Sequence, residues 1–423
     1  MTGSSGLRKA GRRVVIVGGS MSGLLAGLLL RGSGWDVEIF ERVESELAGR
    51  GAGIVAQPDL IRTLQQLGID TADLGVAITT RKILDASGRI ISELACPQVL
   101  TAWERVYRAL RDAFPGQHYH RGRGVRGFAP EAQSVLVQLE DSGAVESDLV
   151  VGADGLRSTI RQQCLPGLAP LYAGYVAWRA LIPEAAFPTA IHRELFDYMT
   201  FCLPPGEQFL GYPVAGPDND LRSGNRRYNV VWYRPVDETP ELKRLLTDEG
   251  GTTHVSIPPP LIRRDAIAAM RADAERLLPP QLRAVVRLIE EPMLQPIYDL
   301  EIPRMVFGRV VILGDAAFVA RPHVAAGVAK AADDAAALAA ALETAGPGGI
   351  EPALRRFEAA RLPVGHKIIG RARDLGSYLQ ATQTAEDRSR AARHGIPEVV
   401  LAENATIDFP YARPREERSG QAT

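Results

Sequence analysis

The apolar and polar positions at the start of the chain follow the pattern of two strands joined by a helix. Residues 14–17 (VVIV) are a short apolar run rich in β-branched side chains, which is typical of a buried strand. Residues 21–31 predict a buried helix, and residues 37–40 predict a second strand that ends at Glu41. The pattern therefore predicts a βαβ unit of about thirty residues.

The pattern changes twice after this unit. Residues 172–257 contain several aromatic runs of alternating polarity, which are typical of an antiparallel sheet. Residues 258–290 return to helical periodicity, and residues 309–315 (RVVILGD) predict another buried strand, which ends in glycine and aspartate. An Ala-rich helix follows this strand, and one or two further helices are predicted within residues 350–382.

Composition argues against several classes of protein. The 423 residues include 49 basic and 50 acidic side chains, so the formal net charge is −1. A near-neutral surface argues against nucleic acid as the main ligand, because phosphate binding needs a basic face. The three cysteines are odd in number and form no CxxC pair. They indicate neither a disulfide framework nor a metal site, and they favour a cytoplasmic location.

The apolar run at residues 14–30 also imitates a signal peptide or a short membrane span, because basic residues precede it. Glycines and serines interrupt the run (GGSMSG), which weakens any helix that would cross a lipid bilayer. A strand, a turn and a helix explain the run better, and we expect no integral membrane segment.

The first motif is the glycine-rich turn within VVIVGGSMSG, residues 14–23. Gly18 and Gly23 fill the first and third positions of a GxGxxG fingerprint, and Ser20 replaces the middle glycine. The N-terminus of the following helix offers free N–H groups to phosphates. Glu41 ends the second strand, where a carboxylate accepts ribose hydroxyls and disfavours a 2′-phosphate. The motif predicts bound FAD or NAD rather than NADP. The adjacent candidate residues are Gly19, Ser22 and Arg42.

Two later segments also end a strand in small and acidic residues. In residues 148–161 (DLVVGADGLRSTIR), a strand leads through Asp154 into a helix, although an ordinary aspartate-capped turn explains this segment equally well. In residues 308–338, Asp315 could accept a ribityl or ribose hydroxyl. The helix that follows Gly327 could stabilise negative charge on a flavin ring.

The three motifs occur in an order that resembles the group A flavoprotein aromatic hydroxylases, the family of p-hydroxybenzoate hydroxylase. The resemblance covers roughly residues 12–385. The strings YAGYVAWRA and GDAAFVARPHVAAGVAKAADDA look most like the 2,6-dihydroxypyridine 3-hydroxylase branch. Phe318, Ala325 and Trp103 depart from residues that many relatives carry, and all three fit this pyridine branch better.

The resemblance implies an α/β fold. A Rossmann-like FAD-binding domain would carry an inserted antiparallel β-sheet substrate domain and C-terminal helices. The implied boundaries are 12–75, 101–174 and 291–345 for the FAD-binding domain, 76–100 and 175–290 for the substrate-binding domain, 346–395 for the C-terminal helices, and 1–11 and 396–423 for flexible termini.

The resemblance also implies FAD as the resident cofactor and NADH or NADPH as a transient co-substrate. The residues expected to bind FAD are Gly18, Gly19, Ser20, Ser22, Gly23, Glu41, Arg42, Arg50, Gln57, Asp154, Asp315, Ala325, Ala326, Gly327 and Val328. For Arg50 and Gln57, a polar loop surface is an equally good interpretation.

His323 is the first candidate for ionising a substrate hydroxyl. It lies in the loop expected beside the flavin, and histidine exchanges protons near neutral pH. A loop histidine bonded to the backbone is the alternative. Tyr212 and Tyr198 are candidates for hydrogen bonds to substrate, with sheet packing as the alternative. Arg179 would face the flavin edge or form a salt bridge.

The implied function is an FAD-dependent monooxygenase that hydroxylates an electron-rich ring, such as a hydroxypyridine or pyridone, with NAD(P)H and O2 through a flavin C4a-hydroperoxide. A phenolic or other N-heterocyclic substrate is an alternative, and a non-catalytic flavin-binding protein is another. The sequence leaves open NADH against NADPH, and a homo-oligomer against a monomer.

Overall fold

The computed structural model describes residues 12–47, 53–343, 345 and 349–406, which form three sheets and surrounding helices. The strands are β1 (Arg13–Val17), β2 (Asp36–Glu41), β3 (Gly53–Val55), β4 (Val76–Leu84), β5 (Ile90–Ala102), β6 (Tyr119–Arg121), β7 (Val125–Pro130), β8 (Val135–Leu139), β9 (Ala144–Ser147), β10 (Leu149–Gly152), β11 (Leu171–Pro183), β12 (Tyr198–Cys202), β13 (Gln208–Val214), β14 (Arg227–Pro235), β15 (Met293–Asp299), β16 (Val306–Phe307) and β17 (Val310–Ile312). The helices are α1 (Met21–Gly32), α2 (Pro58–Gln66), α3 (Trp103–Ala113), α4 (Thr159–Cys164), α5 (Thr189–Leu195), α6 (Lys243–Leu245), α7 (Arg264–Leu277), α8 (Pro280–Arg287), α9 (Gly327–Glu343), α10 (Ile350–Leu375), α11 (Ala385–His394) and α12 (Pro397–Glu403).

A six-stranded sheet contains the predicted βαβ unit, with the order β16-β17-β10-β1-β2-β6. Its strands are parallel except for β16. The carboxyl ends of β1, β2, β10 and β17 therefore meet at one edge, which brings together the loops that follow them. Helix α1 packs against α9 on this sheet, and the apolar runs of β1, β10 and β17 are buried between such layers.

An eight-stranded sheet, in the order β15-β11-β14-β13-β12-β4-β5-β3, forms the second unit. Its neighbours are antiparallel except for β12 and β4, which run parallel. One face packs an aromatic cluster, including Trp178 and Trp232, against apolar side chains of α7 and α8. The opposite face carries Tyr212 and Tyr233 toward the rest of the molecule.

Strand β15 corrects one boundary that the sequence implied. Residues 293–299 fall inside the stretch that was expected to belong to the FAD-binding domain. The strand instead pairs with β11, where Arg179 lies opposite Met293 and Ala177 opposite Gln295. Strand pairing therefore places β15 in the antiparallel sheet. Its partner β11 is distant in sequence and close in space, so the local sequence pattern does not show the pairing.

The segment after residue 396 corrects a second boundary, because its described part is ordered rather than flexible. Helix α12 covers Pro397–Glu403, and Val400 and Leu401 are fully buried. The Arg81 guanidinium donates from Nη1 to the carbonyl oxygens of Leu401 (3.0 Å) and Asn404 (2.5 Å). Among the residues described, no helix combines the length and the apolar character needed to span a bilayer.

Candidate active site

The turn after β1 has a backbone that only glycine adopts without strain. Gly18 has a φ of +103°, and its N–H donates to the Phe40 carbonyl at 2.8 Å. A Cβ on Gly18 would overlap the carbonyl of Ala153, and a Cβ on Gly23 would overlap the carbonyl of Gly18. The glycines therefore let the start of α1 approach the loop after β10 closely.

The Glu41 carboxylate lies beside this turn, at the end of β2. Its Oε2 accepts the N–H of Gly19 at 2.8 Å, and its Oε1 accepts the N–H of Val43 at 2.9 Å. Only 7% of the residue is exposed. The Tyr119 hydroxyl donates to the Gly19 carbonyl at 2.8 Å, which holds the turn from its other side. The spacing predicted from the sequence therefore places an acid against the glycine-rich turn.

Asp154 lies across from this turn, in the loop after β10. Its Oδ2 accepts the N–H groups of Thr159 (2.7 Å) and Ile160 (3.3 Å), so the aspartate caps α4. Burial raises the pKa of the Asp154 carboxyl. Its Oδ1 is buried and has no hydrogen-bond partner among the described residues. The interpretation of Asp154 as a helix cap is therefore correct for Oδ2, while Oδ1 remains available to a ligand.

A cleft opens where these loops meet, between the carboxyl ends of β1, β2 and β10. The predicted residues that line it are Gly18, Ser20, Glu41, Arg42 and Asp154. Trp103 also lines the cleft and stacks on Tyr107, with ring centroids 5.1 Å apart. The structure thus brings most residues of the first two motifs to one cleft. Trp103, which differs from the residue that many relatives carry, lies in the same cleft.

Gly314 and Asp315 follow β17 and approach helix α1 near Ser22. Gly314 has a φ of +63°, and a Cβ there would overlap the Ser22 hydroxyl. The Lys330 ammonium donates to the Gly314 carbonyl at 3.0 Å and to Asp334 at 3.1 Å. The Asp315 side chain is accessible to solvent. Desolvation by the surrounding protein raises the pKa of its carboxyl, and the positive charge of Lys330 opposes that rise.

Residues 322–326 form a tight turn that leads into α9, which begins with Gly327 and Val328. Ala325 has left-handed backbone angles (φ +47°, ψ +32°), a region where glycine is favoured. The Gln57 Nε2 donates to the Ala325 carbonyl at 3.3 Å, and the Gln57 Oε1 is buried with no partner among the described residues. Ala326 is buried and accepts the Lys330 N–H, and Gly327 begins the helix. Val328 is half-buried and packs at the edge of the core.

The environment of His323 differs from the expectation. The side chain is buried, and burial followed by the charge of Arg321 lowers its pKa to about 3. The ring is therefore neutral near pH 7, because burial desolvates its charged form. Its Nε2 lies 2.9 Å from the Tyr175 hydroxyl, and its ring packs against Tyr233 at 4.4 Å. Its Nδ1 is buried without a partner among the described residues.

The two candidate tyrosines lie on opposite faces of the eight-stranded sheet. Tyr212 is buried in a cluster with Met199 and Phe201, and burial raises its pKa to about 12. Because side chains alternate along a strand, Tyr198 points away from the face that carries Met199. Its ring instead lies 3.8 Å from the Lys82 Nζ. Tyr212 therefore lies on the same face as His323, and Tyr198 does not.

Sequence reasoning missed several polar groups on that face. The Asn229 side chain is fully buried, accepts the Gly53 N–H at 3.0 Å and has an Nδ2 without a partner among the described residues. Gln208 accepts hydrogen bonds from the Tyr378 hydroxyl and the Asn404 amide. Strand alternation could have grouped Asn229 with Tyr233, but no local signal connects Gln208 to Asn404. Arg50 lies outside the described residues.

Comparisons with known proteins agree with this geometry. An FAD binding domain family model matches residues 12–165, and an FAD binding domain-like model matches residues 172–299. The 2,6-dihydroxypyridine 3-monooxygenase of Paenarthrobacter nicotinovorans is 32% identical over 389 residues, covering 92% of this chain and 96% of that protein. The chain belongs to the FAD-dependent aromatic hydroxylases.

This hydroxylase is similar to further members of the family. The 3-amino-4-hydroxybenzoate 2-monooxygenase of Streptomyces cremeus is 31% identical over 395 residues, covering 90% of this chain and 91% of that protein. The solved structure of 2,6-dihydroxypyridine-3-hydroxylase from Arthrobacter nicotinovorans has a TM-score of 0.83 at 31% identity, covering 89% of this chain and 94% of that one. The predicted fold class, FAD-dependent monooxygenase activity and NAD(P)H dependence are confirmed.

Proposed function

We propose that this monooxygenase hydroxylates a hydroxypyridine or pyridone ring. The observation that carries the proposal is the similarity to 2,6-dihydroxypyridine 3-monooxygenase, which extends over more than nine-tenths of both chains in sequence. Phe318, Ala325 and Trp103, which depart from many relatives, support the same branch. A phenolic ring, as in the name of the Streptomyces cremeus relative, is the alternative outcome.

The residues around the cleft fit FAD. Gly18 and Gly23 leave a cradle that a Cβ would fill, and the N-terminus of α1 opens onto it. Glu41 and Asp154 offer carboxylate oxygens to hydroxyl groups of the nucleotide, and the unpaired Oδ1 of Asp154 suits such a donor. Asp315 would accept a ribityl hydroxyl. The remaining candidates at these loops are Gly19, Ser20, Ser22, Arg42, Gln57, Ala325, Ala326, Gly327 and Val328.

When bound, FAD reduced by NAD(P)H supplies the chemistry that transfers one oxygen atom from O2 to the ring. The chain itself contributes orientation and exclusion of water. Tyr212, Met199 and Phe201 form an apolar wall on the sheet face. The free Nδ2 of Asn229 and the Tyr212 hydroxyl would hydrogen-bond to the ring substituents. Neutral His323 would hold Tyr175 and Tyr233 in place rather than deliver a proton.

Turnover of defined rings tests this proposal. Purified protein loaded with FAD would be mixed with NADH or NADPH and with matched panels of hydroxypyridines and phenols, and the product masses measured in air. We expect a hydroxypyridine to accelerate NAD(P)H oxidation and to gain one oxygen atom. If only phenols gained an oxygen atom, the substrate class would be phenols and not hydroxypyridines. NAD(P)H oxidation that yields only peroxide with every ring would contradict the proposal.

We also propose a homo-oligomeric assembly and a cytoplasmic location. A relative that is solved in a tetrameric form supports a homo-oligomer, which light scattering of the purified protein would test. Cys96, Cys164 and Cys202 are unpaired, which supports a reducing compartment such as the cytoplasm. Fractionation of the producing cells would test the second proposal.

A further inference from the structure

Arg179 lies on the face of the eight-stranded sheet that carries the candidate substrate residues. In β11 it stands opposite Val231 of β14 and Met293 of β15. Two residues earlier, Ala177 stands between Tyr233 and Gln295, so these side chains share the face of Arg179. The arginine therefore belongs to the same surface as Tyr212 and Tyr233.

The charge of Arg179 has no acidic partner among the described residues. Its Nη1 donates to the neutral Gln295 Oε1 at 2.9 Å, and its Nε is buried without a hydrogen-bond partner. Arg321, near the same sheet face, is instead paired with Asp299 through several hydrogen bonds. A half-buried cation that lacks an acid carries an electrostatic cost, which an anionic ligand would offset.

The groups around Arg179 do not neutralise it. Its charge opposes the rise that burial causes in the pKa of Tyr212 and of Tyr233, and both tyrosines remain protonated near pH 7. His323 packs on Tyr233 and is neutral at this pH. This part of the sheet face therefore has a net positive charge, which attracts a ligand that carries negative charge.

We propose that Arg179 binds an ionised oxygen of the aromatic substrate, so that the ring enters as an anion. This proposal rests on the proposed function and narrows its substrate class to rings with an acidic hydroxyl. The guanidinium would donate from Nε and Nη2, the donors that Gln295 does not use, to one oxyanion. An ionised oxygen also raises the electron density of the ring, which favours attack on an electrophilic oxygen atom.

Ring binding to the FAD-loaded protein tests the proposal without requiring turnover. The probes are 2,6-dihydroxypyridine and 2,6-dimethoxypyridine, which has the same ring without ionisable oxygens. Their dissociation constants would be measured by calorimetry and by the change in flavin absorbance. The variants are Arg179→Gln, Arg179→Lys and Gln295→Glu, the last of which adds a carboxylate next to the guanidinium while preserving the size of the side chain. Gln295→Met is the matched neutral control.

We expect Arg179→Gln and Gln295→Glu to weaken binding of the dihydroxypyridine about 10- to 100-fold, the range for a charge-assisted hydrogen bond. Arg179→Lys and Gln295→Met should weaken it by less than about 10-fold, because the positive charge remains. The dimethoxypyridine should bind all five proteins equally. The FAD content of each variant reports whether it is folded.

Three results would overturn the assignment. The first is an unchanged dissociation constant for the dihydroxypyridine in Arg179→Gln. The second is an equal loss for both rings, which would indicate a purely structural role. The third is a raised KM for NAD(P)H with unchanged ring binding, which would assign Arg179 to the nucleotide. Failure of the proposed function would appear separately, as wild-type protein that binds the ring without oxygenating it.

Discussion

Replacement of Ala325 by glycine tests the geometry of the turn before α9. Ala325 has left-handed backbone angles (φ +47°, ψ +32°), which cost an L-residue with a Cβ roughly 1–2 kcal/mol. Glycine removes that cost, but it loses about 0.4–1 kcal/mol through the greater freedom of the unfolded chain. Removal of a half-buried methyl group costs a further ~0.4 kcal/mol, half the value for a fully buried one. Ala325→Gly should therefore change the free energy of unfolding by roughly −0.4 to +1.2 kcal/mol.

The neighbouring residue provides the control, because Ala326 is buried and does not have a positive φ. Ala326→Gly loses a buried methyl group and gains unfolded-state freedom, so it should destabilise the protein by about 1.5 kcal/mol. Urea unfolding without FAD and at a saturating FAD concentration, followed by tryptophan and flavin fluorescence, measures both variants. The FAD-free transition gives the stability, and the difference between the two conditions gives the FAD affinity. Equal destabilisation of the two variants would refute the left-handed assignment of Ala325.

Three further predictions concern charged groups. Lys330→Met leaves the Gly314 carbonyl without this donor, while Asp334 keeps its ion pair with Arg361, and it should destabilise the protein by about 1–3 kcal/mol in urea unfolding. Glu41→Gln weakens the hydrogen bonds from Gly19 and should raise the dissociation constant of FAD about 10-fold or more, measured by flavin release. The folded-state pKa of His323 is about 3, below its unfolded value of about 6.5, so the unfolded state binds more protons between these values. Stability should fall as the pH drops below about 6.5, by at most ~1.4 kcal/mol per pH unit, and His323→Gln should flatten that slope.

Unchanged unfolding of Lys330→Met would mean that Gly314 has another donor. Equal flavin release from Glu41→Gln and wild type would remove Glu41 from the nucleotide site. A pH dependence of stability that is identical in His323→Gln would place the titrating group elsewhere, and His394, whose pKa burial also lowers, would be the next candidate.

The local sequence pattern was sufficient to predict secondary structure wherever the stabilising interactions lie within a short stretch of chain. The strand at 14–17, the helix at 21–31 and the strand ending at Glu41 agree with the structure to within about a residue. Backbone sterics limit Gly18 to glycine, and the periodicity of apolar side chains sets which residues can be buried. The departure at Ala325 was also visible in the sequence, although its left-handed backbone was not.

Pairing and burial between distant segments decided the rest. β15 joined the antiparallel sheet through β11, and α12 was held by Arg81, a residue more than three hundred positions earlier. Strand register also placed Tyr198 and Tyr212, the two candidate tyrosines, on opposite faces of the sheet.

The sequence by itself determined the nucleotide-binding unit, because a strand, a glycine turn and an acid at a set spacing interact mainly with one another. Only the tertiary structure decided which polar groups share the substrate face and in which protonation state. Desolvation depends on every element packed around a group, and this is why His323 is neutral. Strand pairing decides which side chains lie beside Arg179, and among the described residues none of its hydrogen-bond partners is an acid.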